Sequence, residues 1–348
     1  MLAVVAALYL LLRRGNAIAP EISSPMRLRQ WAAAFLGACA LSHVYWVFYA
    51  YNSSQTYYLI VCGLDILMFF PTITGILLSM LQDWHRPMWP VAVGLVPAII
   101  LLAMCIIRGD DVLILPLSIY FTSLYVLLML YVFFAVRRYG RWLRDNYADL
   151  ENKEVWQSFL ILAGFLLFFA AYSSTSGDST VLVYLLQIDC IIIVALLLWR
   201  VETLQQLGEN TMTDEERAEQ EQEPKTTAPT PSATPTKMDA LLKKNCENKQ
   251  LYLQNDLTLA QLASAIGTNR TYLSQHFAHQ GITYNAYING LRIRHFIRLY
   301  EKALADNREI TAQQLAFESG YRSYSTFSAT FKQNMGTTVT AWMHGMEK

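Results

Sequence analysis

Gln261-Leu262-Ala263-(x)3-Gly267 returns fifty-three residues later as Gln314-Leu315-Ala316-(x)3-Gly320. In the first copy Leu259, Leu262, Ala263 and Ile266 fall at helical spacing, as Leu315 and Ala316 do in the second. Each run then meets a glycine, where a sharp turn requires positive φ. Beyond each glycine lies an i,i+4 apolar pair, Leu273 with Phe277 and Phe327 with Phe331, the spacing that pins one face of a second helix to a core. Both copies therefore predict a helix-turn-helix. The likeness runs on, since Gly281-Ile-Thr-Tyr-Asn-Ala-Tyr287 matches Gly336-Thr-Thr-Val-Thr-Ala-Trp342 in spacing. A whole subdomain is duplicated, with one long helix at about Tyr284 to Leu304 joining the copies.

Outside this region the chain changes character. Its 348 residues are 54% hydrophobic and only 16% charged, too apolar for an ordinary pair of soluble domains, and the excess lies before Arg200. Seven apolar runs fall there, near 1–12, 31–51, 58–81, 89–107, 112–136, 157–175 and 180–199. Most are long enough to cross about 30 Å of hydrocarbon as helices. The first run could instead be the apolar core of a signal peptide. Its flanks argue against that, because Arg13 and Arg14 follow the run and Ala17-Ile18-Ala19 comes after a polar gap. It is read as a short first span.

Alternate loops differ sharply in basic charge. One set holds Arg13, Arg14, Arg27, Arg29, Arg86, Arg137, Arg138, Arg141, Arg144 and Lys153, with Arg200 after the last run, while the other holds only Arg108. The asymmetry places the first set in the cytoplasm, and so predicts an outside N-terminus, seven spans in a bacterial cytoplasmic membrane and a cytoplasmic C-terminal region.

The zero net charge conceals segregation. Residues 201–236 carry 2 basic and 8 acidic side chains, whereas residues 237–348 carry 13 and 8. A surplus of cations in the last segment suits phosphate contact. Arg200–Asn210 can extend the last span, Thr211–Glu223 is acidic, and Pro224–Thr236 is a Thr/Pro/Ala/Ser tract that cannot build a core. The expected organisation is a membrane domain at 1–200, a flexible linker at 201–236 and the duplicated domain at 237–348. Cys39, Cys62, Cys105 and Cys190 lie in the apolar runs and Cys246 beyond them, with no CxxC or Cys/His ligand spacing, so neither metal nor cofactor is called for.

The C-terminal part resembles the AraC/XylS family of transcription regulators over about residues 238–348. The ordered motifs that carry the resemblance are Leu257-Thr-Leu-Ala-Gln-Leu-Ala263, Gly267-Thr-Asn-Arg-Thr-Tyr-Leu-Ser274, Phe277, Gly281, Tyr287-Ile-Asn-Gly-Leu-Arg292, Ala316, Gly320-Tyr321, Tyr324-Ser-Thr-Phe-Ser328, Phe331-Lys332 and Gly336. The resemblance implies two helix-turn-helix units that place their second helices in successive major grooves of double-stranded DNA, held by a rigid connector. It puts recognition helices at about Asn269–Ala278 and Tyr324–Gln333. Thr271, Ser274 and Gln275 then face bases in the first, and Tyr324, Ser325, Ser328 and Ala329 in the second, with Ser323 at its start. Gln275 suits adenine, and Ser or Thr suits several bases. Arg270, Arg322 and Lys332, with His276, are the phosphate candidates. Two departures stand out. Ala329 occupies a position where the family often has Arg, and can offer only contact with a thymine methyl, which weakens the second helix as a reader. Gly336-Thr-Thr-Val339 lacks a proline often found there, which predicts a changed turn. Arg292 has a competing internal role, pairing with an acidic side chain.

Within the apolar half, His43, Asp65 and Asp189 stand out, because an ionisable group in hydrocarbon is costly unless paired or hydrated. They read either as an outward-facing polar ligand site, accompanied by Tyr45, Tyr184 and Gln187, or as interhelical hydrogen bonds that fix the bundle. Aromatic residues near span ends, such as Trp31, Tyr49, Tyr51, Tyr57, Tyr58 and Trp89, fit an interfacial belt. Two other classes compete with this reading. An intramembrane aspartyl protease-like enzyme would use two aspartates, but Gly63-Leu64-Asp65 lacks the partner motif such an enzyme needs. A transporter with a DNA-binding regulatory tail would show inverted repeats or broken helices, for which only Pro71 and Pro97 speak. The sequence therefore predicts an all-α chain, a seven-helix transmembrane bundle followed by a cytoplasmic double helix-turn-helix domain. Its predicted role is that of a non-enzymatic, membrane-anchored regulator. DNA and membrane lipid are its expected partners, and the reading also admits a small-molecule or envelope signal and a homodimer.

Overall fold

The computed structural model describes residues 1–13, 15–20, 22–52, 54–108, 112–160, 163–164, 180–207, 235–306 and 308–346. All named elements among them are helical. They are α1 (Leu2–Leu12), α2 (Met26–Tyr51), α3 (Gln55–Met80), α4 (Trp89–Arg108), α5 (Ile114–Asn146), α6 (Thr180–Thr203), α7 (Pro235–Leu242), α8 (Leu259–Ile266), α9 (Arg270–His279), α10 (Tyr284–Ala305), α11 (Ala312–Glu318), α12 (Tyr324–Met335) and α13 (Val339–Met346). A π-helical turn at Lys243–Glu247 and a 3-10 turn at Leu251–Leu253 follow α7. The chain forms two compact units. One contains Met1–Tyr139 and the described residues from Asn152 to 207, and the other contains Gly140–Glu151 with the described residues from Pro235 onward.

In the first unit α2, α3, α4 and α5 are each long and apolar enough to cross a membrane. The expected seven spans are thus matched by four such helices among the described residues. The run 157–175 lies largely outside those residues, and the side chains at 180–186, 189 and 190 of α6 lie outside them too. The first run forms the 11-residue helix α1, which rises about 16 Å, roughly half of the hydrocarbon thickness. Pro71 and Pro97 sit inside α3 and α4, which continue through them.

Small residues set the spacing between these helices. A Cβ at Gly75 would run into the Trp31 ring, and one at Gly63 into Leu102, so α3 approaches α2 and α4 closely at those points. Glu202, buried near the end of α6, accepts hydrogen bonds from the Tyr9 hydroxyl and, at 3.0 and 2.7 Å, from the backbone N–H groups of Ala17 and Ile18. The carboxylate thereby satisfies two backbone donors in the turn that follows α1.

The second unit consists of two lobes on α10. The first lobe packs α7, α8, α9 and the beginning of α10 around Leu242, Cys246, Leu262, Leu273, Phe277 and Ile288. The second packs the rest of α10 with α11, α12 and α13 around Phe296, Tyr300, Leu315, Phe327, Phe331 and Val339. The apolar pairs that define the repeat are therefore the residues that fasten each second helix to its core. Burying one such side chain is worth about 1.5–3 kcal/mol.

Candidate nucleic-acid interface

The duplication is atomic as well as numerical. Thr258 caps α8 and Thr311 caps α11, each accepting a hydrogen bond from the backbone N–H three residues on, at Gln261 and Gln314. Both glutamine side chains complete a capping box by accepting from the threonine N–H. Gly267 and Gly320 then turn the chain at φ +75° and +86°, the left-handed conformation that favours glycine. Asn269 and Ser323 cap the next helices, accepting from the N–H groups of Tyr272 and Thr326. Gly281 and Gly336 close the motifs at φ +68° and +73°, followed by the caps Thr283 and Thr338. The register between copies grows from 53 to 55 along the way, because one more residue lies between Gly320 and Ser323 than between Gly267 and Asn269, and one more between Phe331 and Gly336 than between Phe277 and Gly281.

These turns lead into α9 and α12, whose boundaries lie within two residues of the predicted ones. In α9, Thr271 and Gln275 are exposed one helical turn apart and Ser274 is half-buried beside them. In α12, Ser325 and Ala329 are exposed at the same spacing, with Tyr324 and Ser328 half-buried. Asn269 and Ser323 have a structural role as caps at the starts of these helices. Lys332 is exposed in the last turn of α12, and Arg322 lies before that helix, 3.8 Å from the Asp256 carboxylate.

His276 is a correction. It is 8% exposed, and its Nε2 lies 3.0 Å from Asp239 Oδ1, so it faces inward and joins α9 to α7. The signal was available, since Leu273, His276 and Phe277 stand at i, i+3 and i+4 and share one face. Arg270 also has a protein partner, its Nε and Nη2 donating to Asn146 Oδ1 at 3.0 and 2.6 Å.

Arg292 takes the internal role, in a form different from the expected acidic pairing. Only 1% exposed, it donates to the carbonyl oxygens of Tyr252, Gln254 and Asn255 at 2.8, 2.6 and 3.1 Å and lies over the Tyr321 ring at 5.5 Å. Burial pulls its pKa down from the usual value, opposed by Tyr321, Tyr284, Asp149 and Asp256. One guanidinium therefore ties the first lobe, α10 and the start of the second lobe together.

The polar residues of the apolar half do not form one described cluster. Asp65 accepts from Trp46 Nε1 at 2.8 Å through Oδ2, while its Oδ1 is buried without a hydrogen-bond partner. His43 is exposed on α2, and the side chain of Asp189 lies outside the described residues. Trp46, Tyr49 and Tyr58 stack edge to face or tilted near that carboxylate, with centroids 5.6–6.2 Å apart. Among the described residues no group of three His, Cys, Asp or Glu side chains is arranged to hold a metal.

Comparison with known proteins singles out the C-terminal part of the chain. Residues 262–345 match the model of a helix-turn-helix domain. The TCP pilus virulence regulatory protein of Vibrio cholerae, in both strains compared, is 28% identical over 106 residues, covering 30% of this chain and 36% of that protein. An uncharacterized HTH-type transcriptional regulator of Staphylococcus aureus is 28% identical over 88 residues, 25% of this chain and 11% of that protein. The chain thus spans about a third or less of the length of these relatives. No solved structure matches it significantly.

Proposed function

We propose that this chain, whose C-terminal part is a helix-turn-helix domain of the AraC/XylS type, is a membrane-anchored one-component transcription regulator. The observation that carries the reading is the pair of capped helices, α9 and α12, presented by one connector, α10, on which Arg292 joins the two lobes. Thr271, Ser274 and Gln275 are assigned to base contact from the first helix, and Tyr324, Ser325, Ser328 and Ala329 from the second. Arg270, Arg322 and Lys332 are assigned to phosphate, with the capped N-termini at Asn269 and Ser323 adding partial positive charge toward the backbone. Of the base set, Gln275 has the most directional chemistry, because its amide can bond adenine in two places.

Four long apolar helices and the basic loops support anchorage in a bacterial cytoplasmic membrane with the DNA-binding part in the cytoplasm. For signal input the best-supported group is Asp65, whose buried oxygen lacks a partner beside Trp46, Tyr49 and Tyr58. His43 and Asp189 are retained as companions in that role, and a small polar molecule or envelope signal is the expected input.

The test is recovery of DNA bound to the full-length chain in cells. Wild type should enrich a small set of sites sharing a motif, and Gln275→Ala should lose that motif at equal protein level. An unchanged site list in the variant would remove Gln275 from the interface. A reporter placed at an enriched site should respond to Asp65→Asn if the membrane half supplies the signal.

A further inference from the structure

The segment Gly140–Glu151 belongs to the same compact unit as the two lobes, although it lies far from them in sequence. Its attachment is specific. Ala148 is 2% exposed within the first lobe's core, its N–H donates to Leu257 O at 3.2 Å, and Tyr147 pairs with Thr258 in an isolated antiparallel bridge. Asn285, on the first turn of α10, donates to the carbonyl oxygens of Tyr147 and Ala148 at 3.2 and 2.7 Å.

What lies on either side of that anchor is the significant part. Five residues apart, Asn146 and Glu151 each reach the first turn of a different recognition helix. Asn146 Oδ1 accepts from Arg270, the first residue of α9. Glu151 Oε2 accepts from Thr326 Oγ1 at 3.0 Å, in the first turn of α12. Helix N-termini and guanidinium groups are where a phosphate would bind, since both offer donors and positive potential to an anion. Asp145–Glu151 offers the complementary charge, with three carboxylates and no cation in seven residues. One short acidic stretch therefore engages the phosphate-facing ends of both reading helices at once.

We propose that residues 146–151 are an intramolecular occupant of the DNA-binding surface, competing with the DNA backbone for Arg270 and for the N-terminal turn of α12. The inference rests on the DNA-binding reading above. It assigns the regulation of that surface to a segment continuous in the chain with α5, so that a displacement of this segment changes DNA affinity without passing through the residues of the 201–236 linker.

The experiment uses the full-length chain in lipid nanodiscs and a fluorescent duplex drawn from fragments that the wild type retains. Anisotropy titrations compare wild type with Asn146→Ala, Glu151→Gln and the double variant. The double variant should bind about tenfold more tightly, because it removes the Asn146 acceptor and the Glu151 charge, about 1.4 kcal/mol of competition in all. Loss of a purely structural contact would weaken binding, so unchanged or weaker binding overturns the inference. A second measurement has the opposite sign. Glu151→Cys with Thr326→Cys, joined by a reducible bis-methanethiosulfonate bridge, should lose DNA binding and regain it on reduction, and binding indifferent to the bridge overturns the inference. Absence of DNA binding in every form overturns the regulator reading beneath it, whereas equal binding in every form overturns this inference alone.

Discussion

The two lobes share caps, turn glycines and helix order, yet are filled by different chemistry. The first core is mostly aliphatic, with Leu257, Leu262, Leu273 and Ile288 around Phe277 and Tyr284, and is completed by Ala148 from outside the repeat. The second is an aromatic stack in which Phe296 meets Phe327 at 4.5 Å, Phe327 meets Phe331 at 5.6 Å and Phe331 meets Trp342 at 5.6 Å. The backbone of a helix-turn-helix is thus set by a few caps and positive-φ glycines, and its interior only has to be apolar and of the right volume. The outward faces diverge too, with Thr271 and Gln275 on one helix and Ser325 and Ala329 at the same spacing on the other. The first lobe carries the more directional hydrogen-bonding chemistry, and the second relies on packing.

That contrast can be broken most strongly in the cores. Phe327→Ala removes the ring at the centre of the aromatic stack and should cost about 3–5 kcal/mol, the range for a buried phenylalanine. Hydrogen exchange on the full-length chain should then show protection lost in α11–α13 and largely kept in α8 and α9. Equal loss in both lobes would mean that they fold as one unit.

Next come the turn glycines. Both need positive φ, but a Cβ at Gly320 would lie 2.7 Å from the Leu253 backbone, whereas one at Gly267 meets nothing within 4 Å. Gly267→Ala should cost about 1–2 kcal/mol for the left-handed conformation alone. Gly320→Ala should cost more, because backbone cannot move aside as a side chain can. A lower unfolding midpoint for Gly320→Ala than for Gly267→Ala, measured in one detergent, checks the order.

On the reading faces, Gln275→Ala should weaken binding to the preferred duplex by about 1–3 kcal/mol, the worth of a bidentate contact to a base. Ala329→Gly removes a single methyl and should change affinity by less than about 1 kcal/mol. Titrations with the two variants sharpen the inequality of the lobes, and equal effects would erase it. The smallest effects belong to the shared caps. Thr258→Ala and Thr311→Ala should each cost about 1 kcal/mol, with similar values in the two lobes.

The repeat was legible because glycine turns and i,i+4 apolar pairs are local signals. They located α8 to α12 and the connector, with the helix edges set by caps such as Thr283 that sequence also displays. What escaped was non-local. Arg292 bonds three carbonyl oxygens in a loop about forty residues away, and main-chain acceptors carry no residue signature. Tyr147 and Ala148 likewise attach through backbone groups to Leu257 and Asn285, so no periodicity marks Gly140–Glu151 as part of the second unit. The polarity of His276 suggests phosphate contact, but its position on the Leu273 and Phe277 face turns it inward toward Asp239. In the apolar half, hydropathy located α1 to α5.

The central claim is that this chain reads DNA through two helices on one connector, and retention of genomic fragments by the full-length protein in nanodiscs tests it directly across a salt series. The account predicts preference for a few fragments, with log affinity falling linearly as log salt rises because backbone contacts release counterions. Binding without sequence preference, or no salt-sensitive binding at all, would contradict it.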